Sequence, residues 1–162
     1  MTKSLAMLTL GLSLFLSGCG FHLRTSQVEL GNKFPVMVLQ RSGSHTFHQA
    51  LQRALTIAST QVIVDPCADA DIPRLTIVSM QTTQQPLVYG PDSELRRERL
   101  RMSVRFSFAN PTPTEIDLYS VRDRQLNSNQ YLGDNAEKSM IEQEMQADII
   151  DQLLQYLESR RF

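Results

Sequence analysis

Cysteine is scarce in this chain: among 162 residues only Cys19 and Cys67 carry a thiol. If the first is covalently modified, as its surroundings indicate below, no intrachain disulfide remains and the fold has to hold by packing. Long apolar runs are missing after residue 16. That excludes a later transmembrane helix, which needs about 20 apolar residues. Charge of one sign is not in excess either. Residues 1–18 hold one basic residue, Lys3, and no acidic one, so the remaining 144 residues carry 15 basic and 17 acidic side chains, a net charge of −2. A nucleic-acid partner is not expected from that balance.

Motifs of catalysis are also missing. There is no G-x-S-x-G and no glycine-rich phosphate loop. His45 and His48 stand three apart and could hold a metal from one helix face, but no third ligand or glutamate adjoins them. Asp65, Asp69 and Asp71 surround Cys67 without the turn glycine and bidentate glutamate of a calcium loop. The expectation is no metal and no catalytic residue. Internal repeats and low-complexity tracts are likewise absent.

What the sequence does have is an emphatic N-terminus. Lys3 is followed by an almost wholly apolar run over residues 5–16, too short to span a bilayer and of the length of a signal-peptide core. The run ends in Leu16-Ser17-Gly18-Cys19, small residues before a thiol, which resembles a lipobox. Residues 1–18 are therefore expected to be cleaved. Cys19 is expected to take a diacylglycerol and an N-acyl chain, the only covalent groups anticipated, and several acyl chains anchor firmly at about 0.8 kcal/mol per buried CH2. Residues 19–34 read as the lipidated N-terminus and tether, and residues 35–162 as a single domain.

Within that domain the apolar spacing changes several times. Residues 35–40 form an unalternating apolar run, expected to be a strand covered on both faces or at an edge. From Ser44, the apolar residues Phe47, Ala50, Leu51, Ala54, Leu55 and Ala58 recur at threes and fours, the stripe of an amphipathic helix. Short strands are expected at 61–64 and about 74–82. Over residues 100–108, Leu100, Met102, Val104, Phe106 and Phe108 alternate with Arg101, Ser103, Arg105 and Ser107, the period of a half-buried strand. Asn110-Pro111-Thr112-Pro113 breaks it, and a further strand over about 115–124 is expected to pair antiparallel.

The last segment carries an i+4 ridge of Ile141, Met145, Ile149, Leu153 and Leu157, and Asp134 with Glu137 resembles a capping box that would start the helix near Asp134. Two amphipathic helices and a sheet with one apolar face imply an α+β fold: a two-layer sandwich with both helices on one face of a mixed or antiparallel sheet of four to five strands.

The string Cys19-Gly20-Phe21-His22-Leu23-Arg24 resembles the start of the mature LptE family of lipopolysaccharide-assembly lipoproteins. The order strand, helix, several strands, long C-terminal helix agrees over nearly all of the mature chain. Members often place glycine after the arginine, where this chain has Thr25. The resemblance implies a non-catalytic subunit, lipid-anchored at the outer membrane on its periplasmic side, whose domain plugs the large β-barrel LptD. Together the two place lipopolysaccharide on the cell surface. Gly20 fits outer-membrane sorting, because the aspartate that commonly retains lipoproteins in the inner membrane is absent there.

The family also binds lipopolysaccharide through basic residues of the hairpin between the middle strands and near the start of the last helix. Here those positions fall in the hairpin over residues 84–94 and the stretch after it. They point to Arg96, Arg97 and Arg99, and to Lys138 one turn inside the helix, although Gly133 and Asp134 stand where a base would be wanted. Five of the 15 mature basic residues lie between positions 96 and 105. Arginine suits phosphate through its planar fork, whereas the competing account is a solvated strand face that discourages edge aggregation. The apolar tip Leu87-Val88-Tyr89 is either a contact surface or a cap over the sheet's end. Other functions compatible with the same anchor are an adaptor lipoprotein of another envelope complex and a small periplasmic metal-dependent enzyme using His45 or His48.

Overall fold

A computed structural model describes residues 28–40, 44–64, 71–126 and 131–160. The expected signal peptide, Cys19 as the expected lipidation site, and the loop residues Asp65, Cys67 and Asp69 lie outside the described residues. The chain folds as β1 (Val36–Gln40), α1 (His45–Ile57), β2 (Gln61–Ile63), β3 (Arg74–Tyr89), β4 (Leu95–Ala109), β5 (Pro113–Gln125) and α2 (Tyr131–Ser159). The five strands form one mixed sheet in the order β2-β1-β3-β4-β5. β1 runs parallel to both β2 and β3, and β4 is antiparallel to both β3 and β5. Both helices cover one face, giving the α+β fold expected from the sequence.

Strand β4 dictates which face that is. Leu100, Met102, Val104, Phe106 and Phe108 are all buried and belong to one apolar cluster with Phe47, Leu51 and Leu55 of α1 and Met145, Ile149, Leu153 and Leu157 of α2. Phe47 meets Phe106 with ring centroids 6.3 Å apart, and Phe34 packs edge-on against Phe108 at 5.3 Å. Truncating such a buried ring costs about 3–5 kcal/mol, so these contacts set the register of helix on sheet.

The expected unalternating strand resolves as a strand buried on both faces: Met37 and Leu39 join the core, and Val38 between them is buried too. Just upstream the chain is already packed. Leu30 and Phe34 are buried in the core, and the Leu30 and Gly31 N–H groups donate to the Ala58 carbonyl at 2.9 and 3.1 Å. Helix α1 ends there with Ser59 at φ 66°, while Ser59 N–H and Thr60 N–H donate to the Thr56 and Leu55 carbonyls. This is the hydrogen-bond pattern of a Schellman cap. A Cβ on Gly31 would lie 2.5 Å from the Ser59 carbonyl oxygen, so only glycine fits this close approach. Lys33 Nζ donates to the carbonyls of Glu158 and Arg160 and so caps the C-terminus of α2.

Three boundaries differ from the sequence reading. β3 continues seven residues past the expected end at 82, and residues 84–89 of the supposed hairpin loop are strand. β-bulges conceal this, because the register skips at Val78 and again at Leu87, so the side-chain alternation changes phase within the strand. Pro86 is tolerated because β1 pairs with β3 only from Arg74 to Thr76, leaving the remainder an edge. β5 begins at Pro113, not 115. Helix α2 begins at Tyr131, so Asp134 lies within its first turn and not at a capping position.

The first ten residues of α2 precede the apolar ridge that starts at Ile141, and polar contacts tie the helix to β4 and β5. Arg124 and Glu98 are cross-strand partners whose side chains are 8% and 7% exposed, with Nε 2.6 Å from Oε1. Arg124 Nη1 also donates to the Asp134 carbonyl at 2.7 Å. Farther along, Ser120 donates to Asp148 at 2.6 Å, and Arg122 flanks the same carboxylate. Removing one member of a buried pair strands the other charge, which costs about 3–5 kcal/mol, whereas replacing both by apolar residues is often neutral. Glu98→Ala is therefore expected to lower unfolding free energy in urea by about 3–5 kcal/mol, and the double variant Glu98→Leu, Arg124→Met to recover most of it.

Candidate functional site

With both helices on one side, the other face of the sheet has no covering element among the described residues. Its composition follows from the strand parity. β4 places Arg97, Arg99, Arg101, Ser103, Arg105 and Ser107 there. β5 sets Asp123 opposite Arg99, Tyr119 opposite Ser103, Asp117 opposite Arg105 and Glu115 opposite Ser107. On the other flank β3 contributes uncharged residues: Gln85 opposite Arg99, Thr83 opposite Arg101, Gln81 opposite Ser103 and Ser79 opposite Arg105. The face is a polar surface with arginine and carboxylate interleaved along one seam.

That seam is well ordered in its pairing. Arg99 grips Asp123 with both ends of its fork, Nε to Oδ1 at 2.7 Å and Nη2 to Oδ2 at 2.9 Å. Arg105 Nε lies 2.7 Å from Asp117 Oδ1 and 3.9 Å from Glu115. Between them Arg101 lays its guanidinium over the Tyr119 ring, 4.4 Å from the centroid. The Arg99 hydrogen bond holds the Asp123 carboxyl below its ordinary value of 3.8; partial desolvation opposes this, and the charges of Arg99 and Arg97 add to it. Reciprocally, Asp123 raises Arg99, and Asp117 with Glu115 raises Arg105.

The four basic residues singled out in the sequence do not converge. Arg97 and Arg99 lie on the uncovered face. Arg96 points to the opposite side, where it pairs with Asp92 and, at 3.3 Å, with Glu94 in the turn after β3. Gly90 leaves room for that arrangement, since a Cβ there would sit 2.6 Å from Asp92 Oδ1. Lys138 belongs to α2, on the helix side of the sheet. Arg97 is exposed and forms no ion pair among the described residues. The tip triplet is no cap over the sheet, because Val88 and Tyr89 are exposed. His45 is exposed while His48 is buried on the core side of α1, so the pair does not face one site. Among the described residues no three metal-ligating side chains come together, and no helix is long and apolar enough to cross a membrane.

What sequence reasoning missed was the acidic half of the seam. In β5, Asp117 lies between Ile116 and Leu118 and Asp123 between Arg122 and Arg124, and only the β4–β5 register reveals that they face Arg105 and Arg99.

The family model for LptE, described as lipopolysaccharide-assembly, matches residues 36–157. The chain belongs to the LptE lipopolysaccharide-assembly family. Lipopolysaccharide assembly is thus the process in which this LptE-family chain takes part. Solved structures agree on the fold. Rare lipoprotein B from Shewanella oneidensis superposes with a TM-score of 0.68 at 20% identity, covering 76% of this chain and 93% of that one. A minor lipoprotein from Acinetobacter baumannii gives 0.63 at 18% identity, with 78% and 92% covered. Lipoprotein B from Nitrosomonas europaea gives 0.60 at 23% identity, with 83% and 88% covered. No curated protein matches the chain in sequence.

The Arg99–Asp123 pair supplies a pH test. Because the folded-state pKa of Asp123 is lowered, the pair's contribution is complete above the ordinary carboxylate range and is lost as pH falls through the lowered value. In Arg99→Ala the Asp123 carboxyl is expected to titrate at higher pH than in the parent, as followed by its carboxyl carbon shift. An unmoved midpoint would show that the pair does not act on Asp123 in solution. Both groups are solvent-exposed, so the same variant should unfold at nearly the parent's urea midpoint.

Proposed function

We propose that this chain is the non-catalytic lipoprotein subunit that seats within the large outer-membrane barrel LptD and helps it deliver lipopolysaccharide to the cell surface. In this reading, acyl chains on Cys19 hold it at the periplasmic side of the outer membrane. The observation that carries the proposal, beyond family membership, is the uncovered sheet face. A β-barrel interior is polar, and a domain that enters one must keep its apolar core private while presenting hydrogen-bonding groups outward. The two helices enclose the core, and the face from Ser79 to Gln125 offers arginine, carboxylate, hydroxyl and amide groups.

Lipopolysaccharide is the second ligand of the proposal, through its phosphates. The pairing pattern ranks the candidate residues. Arg96 and Arg99 are already engaged by carboxylates, so a phosphate would have to displace Asp92 or Asp123. Arg97 feels the charge of Asp123 but forms no ion pair among the described residues, and it stands beside the apolar Val88 in the cross-strand register. It is the residue best placed to meet a phosphate next to an acyl chain.

Affinity capture of the full-length lipidated protein from outer membranes tests the main claim. A large β-barrel partner is expected to co-purify, and recovery without one would sink it. For the ligand, Arg97→Ala is expected to weaken lipopolysaccharide binding by about tenfold or more, the worth of one charge-assisted hydrogen bond. Arg99→Ala is expected to weaken it less. Equal loss in both would assign the effect to net charge alone.

A further inference from the structure

The middle of the uncovered face is hollow, and the cause can be read from side-chain length. Gln81, Ser103 and Tyr119 form one cross-strand row, and Ser79, Arg105 and Asp117 form the next. Two serines, one in each row, thus sit diagonally across β3 and β4 with longer side chains around them. The bulge contributes, because it sets Ser79, and not Val78, opposite Arg105. The depression so formed has a volume of 340 Å³, within the lower range of small-ligand clefts, which run from about 300 to 1,000 Å³.

Its lining is specific in three respects. Tyr119 is 56% exposed, so part of its ring stays open to solvent beside the Arg101 stack. Arg101 stacks on that ring and has no carboxylate partner among the described residues, whereas Arg105 is neutralised by Asp117. Counted over the residues that line it, the hollow therefore holds one net positive charge, with Glu115 outside the lining and 3.9 Å from Arg105. The only hydrogen bond of the Arg101 guanidinium among the described residues is a long 3.4 Å one from Nε to Ser103 Oγ, easily exchanged for a better acceptor. Finally, Ser79, Ser103 and Gln81 each donate and accept hydrogen bonds.

An aromatic face, hydroxyl-matching groups and a single cation together describe the recognition needs of one class of molecule. We propose that this hollow binds an anionic saccharide, with a pyranose ring against Tyr119 and its carboxylate or phosphate on the fork of Arg101. The C–H groups of a sugar ring are weakly positive and pack on the negative face of an aromatic ring. Its hydroxyls need partners that both donate and accept, which Ser79, Ser103 and Gln81 supply. A lone inorganic anion would use Arg101 and leave the rest idle. The site is separate from the Arg97 tip. Its biological source, the sugar portion of an envelope glycolipid, rests on the function proposed above, while the chemistry of the hollow does not.

The test titrates the full-length protein in detergent micelles, by calorimetry and by NMR, with four soluble probes: a short oligogalacturonate, glucose 6-phosphate, maltotriose and inorganic phosphate. Binding of at least one of the two anionic sugars, about tenfold or more tighter than maltotriose and than inorganic phosphate, is expected, and which of them binds tells carboxylate from phosphate. Tyr119→Ala and Arg101→Gln should each weaken it by about tenfold, with Tyr119→Phe binding like the parent because the ring is kept. Inorganic phosphate binding as tightly as the sugars, or Tyr119→Ala binding unchanged, overturns the proposal. Circular dichroism of each variant verifies folding. Barrel capture of the parent is read separately, so failure of the function above and failure of the sugar site are told apart.

Discussion

The alternation in β4 is the constraint on which the other elements depend. Every second side chain from Leu100 to Phe108 is large and apolar, and both helices, both neighbouring strands and the segment before β1 deliver apolar groups to that row. Since successive strand residues point to opposite faces, committing these to a core commits Arg99, Arg101 and Arg105 to the other side. The charged face is thus the geometric complement of the core, not a separate design. A one-residue slip of β4 would bury three guanidinium groups, which explains why register here is strongly specified.

The row also has an end. Past Leu100, the next position on the core side is Glu98, where apolar packing gives way to a buried ion pair with Arg124. The distal sandwich is therefore held by fewer, more directional contacts than the proximal one. Such contacts contribute orientation more than net stability. They fix where the first turns of α2 lie over β4 and β5, and they leave the tip of the β3–β4 hairpin uncovered.

Much of this architecture is legible in the sequence, because it rests on short-range periodicity. The stripe Phe47, Leu51, Leu55 and the ridge Met145, Ile149, Leu153 are recognisable as helices from their spacing alone, and β4 declares its own faces. Elements that depend on long-range register are not legible in this way. β3 looks short because the bulges at Val78 and Leu87 interrupt its alternation, and the true start of α2 is hidden because Asp134 mimics a cap from inside the helix. For the site, the arginine cluster is visible as composition. Its division is not, since Arg96 differs from Arg97 only by strand parity, and the carboxylates that neutralise Arg99 and Arg105 come from another strand. The hollow at Ser103 is a product of three strands in register and has no signature in any one of them.

The fastening of the N-terminal segment carries a mechanical meaning. The segment from Val28 is tied at Leu30 and Gly31 to the end of α1, and at Lys33 to the end of α2, before the chain reaches β1. A pull on that segment is shared by these bonds and delivered to two helix termini at once. It does not peel β1 from the sheet one hydrogen bond at a time. The sheet face is thereby isolated from tension on that segment, much as a strain-relief clamp spares the contacts of a cable.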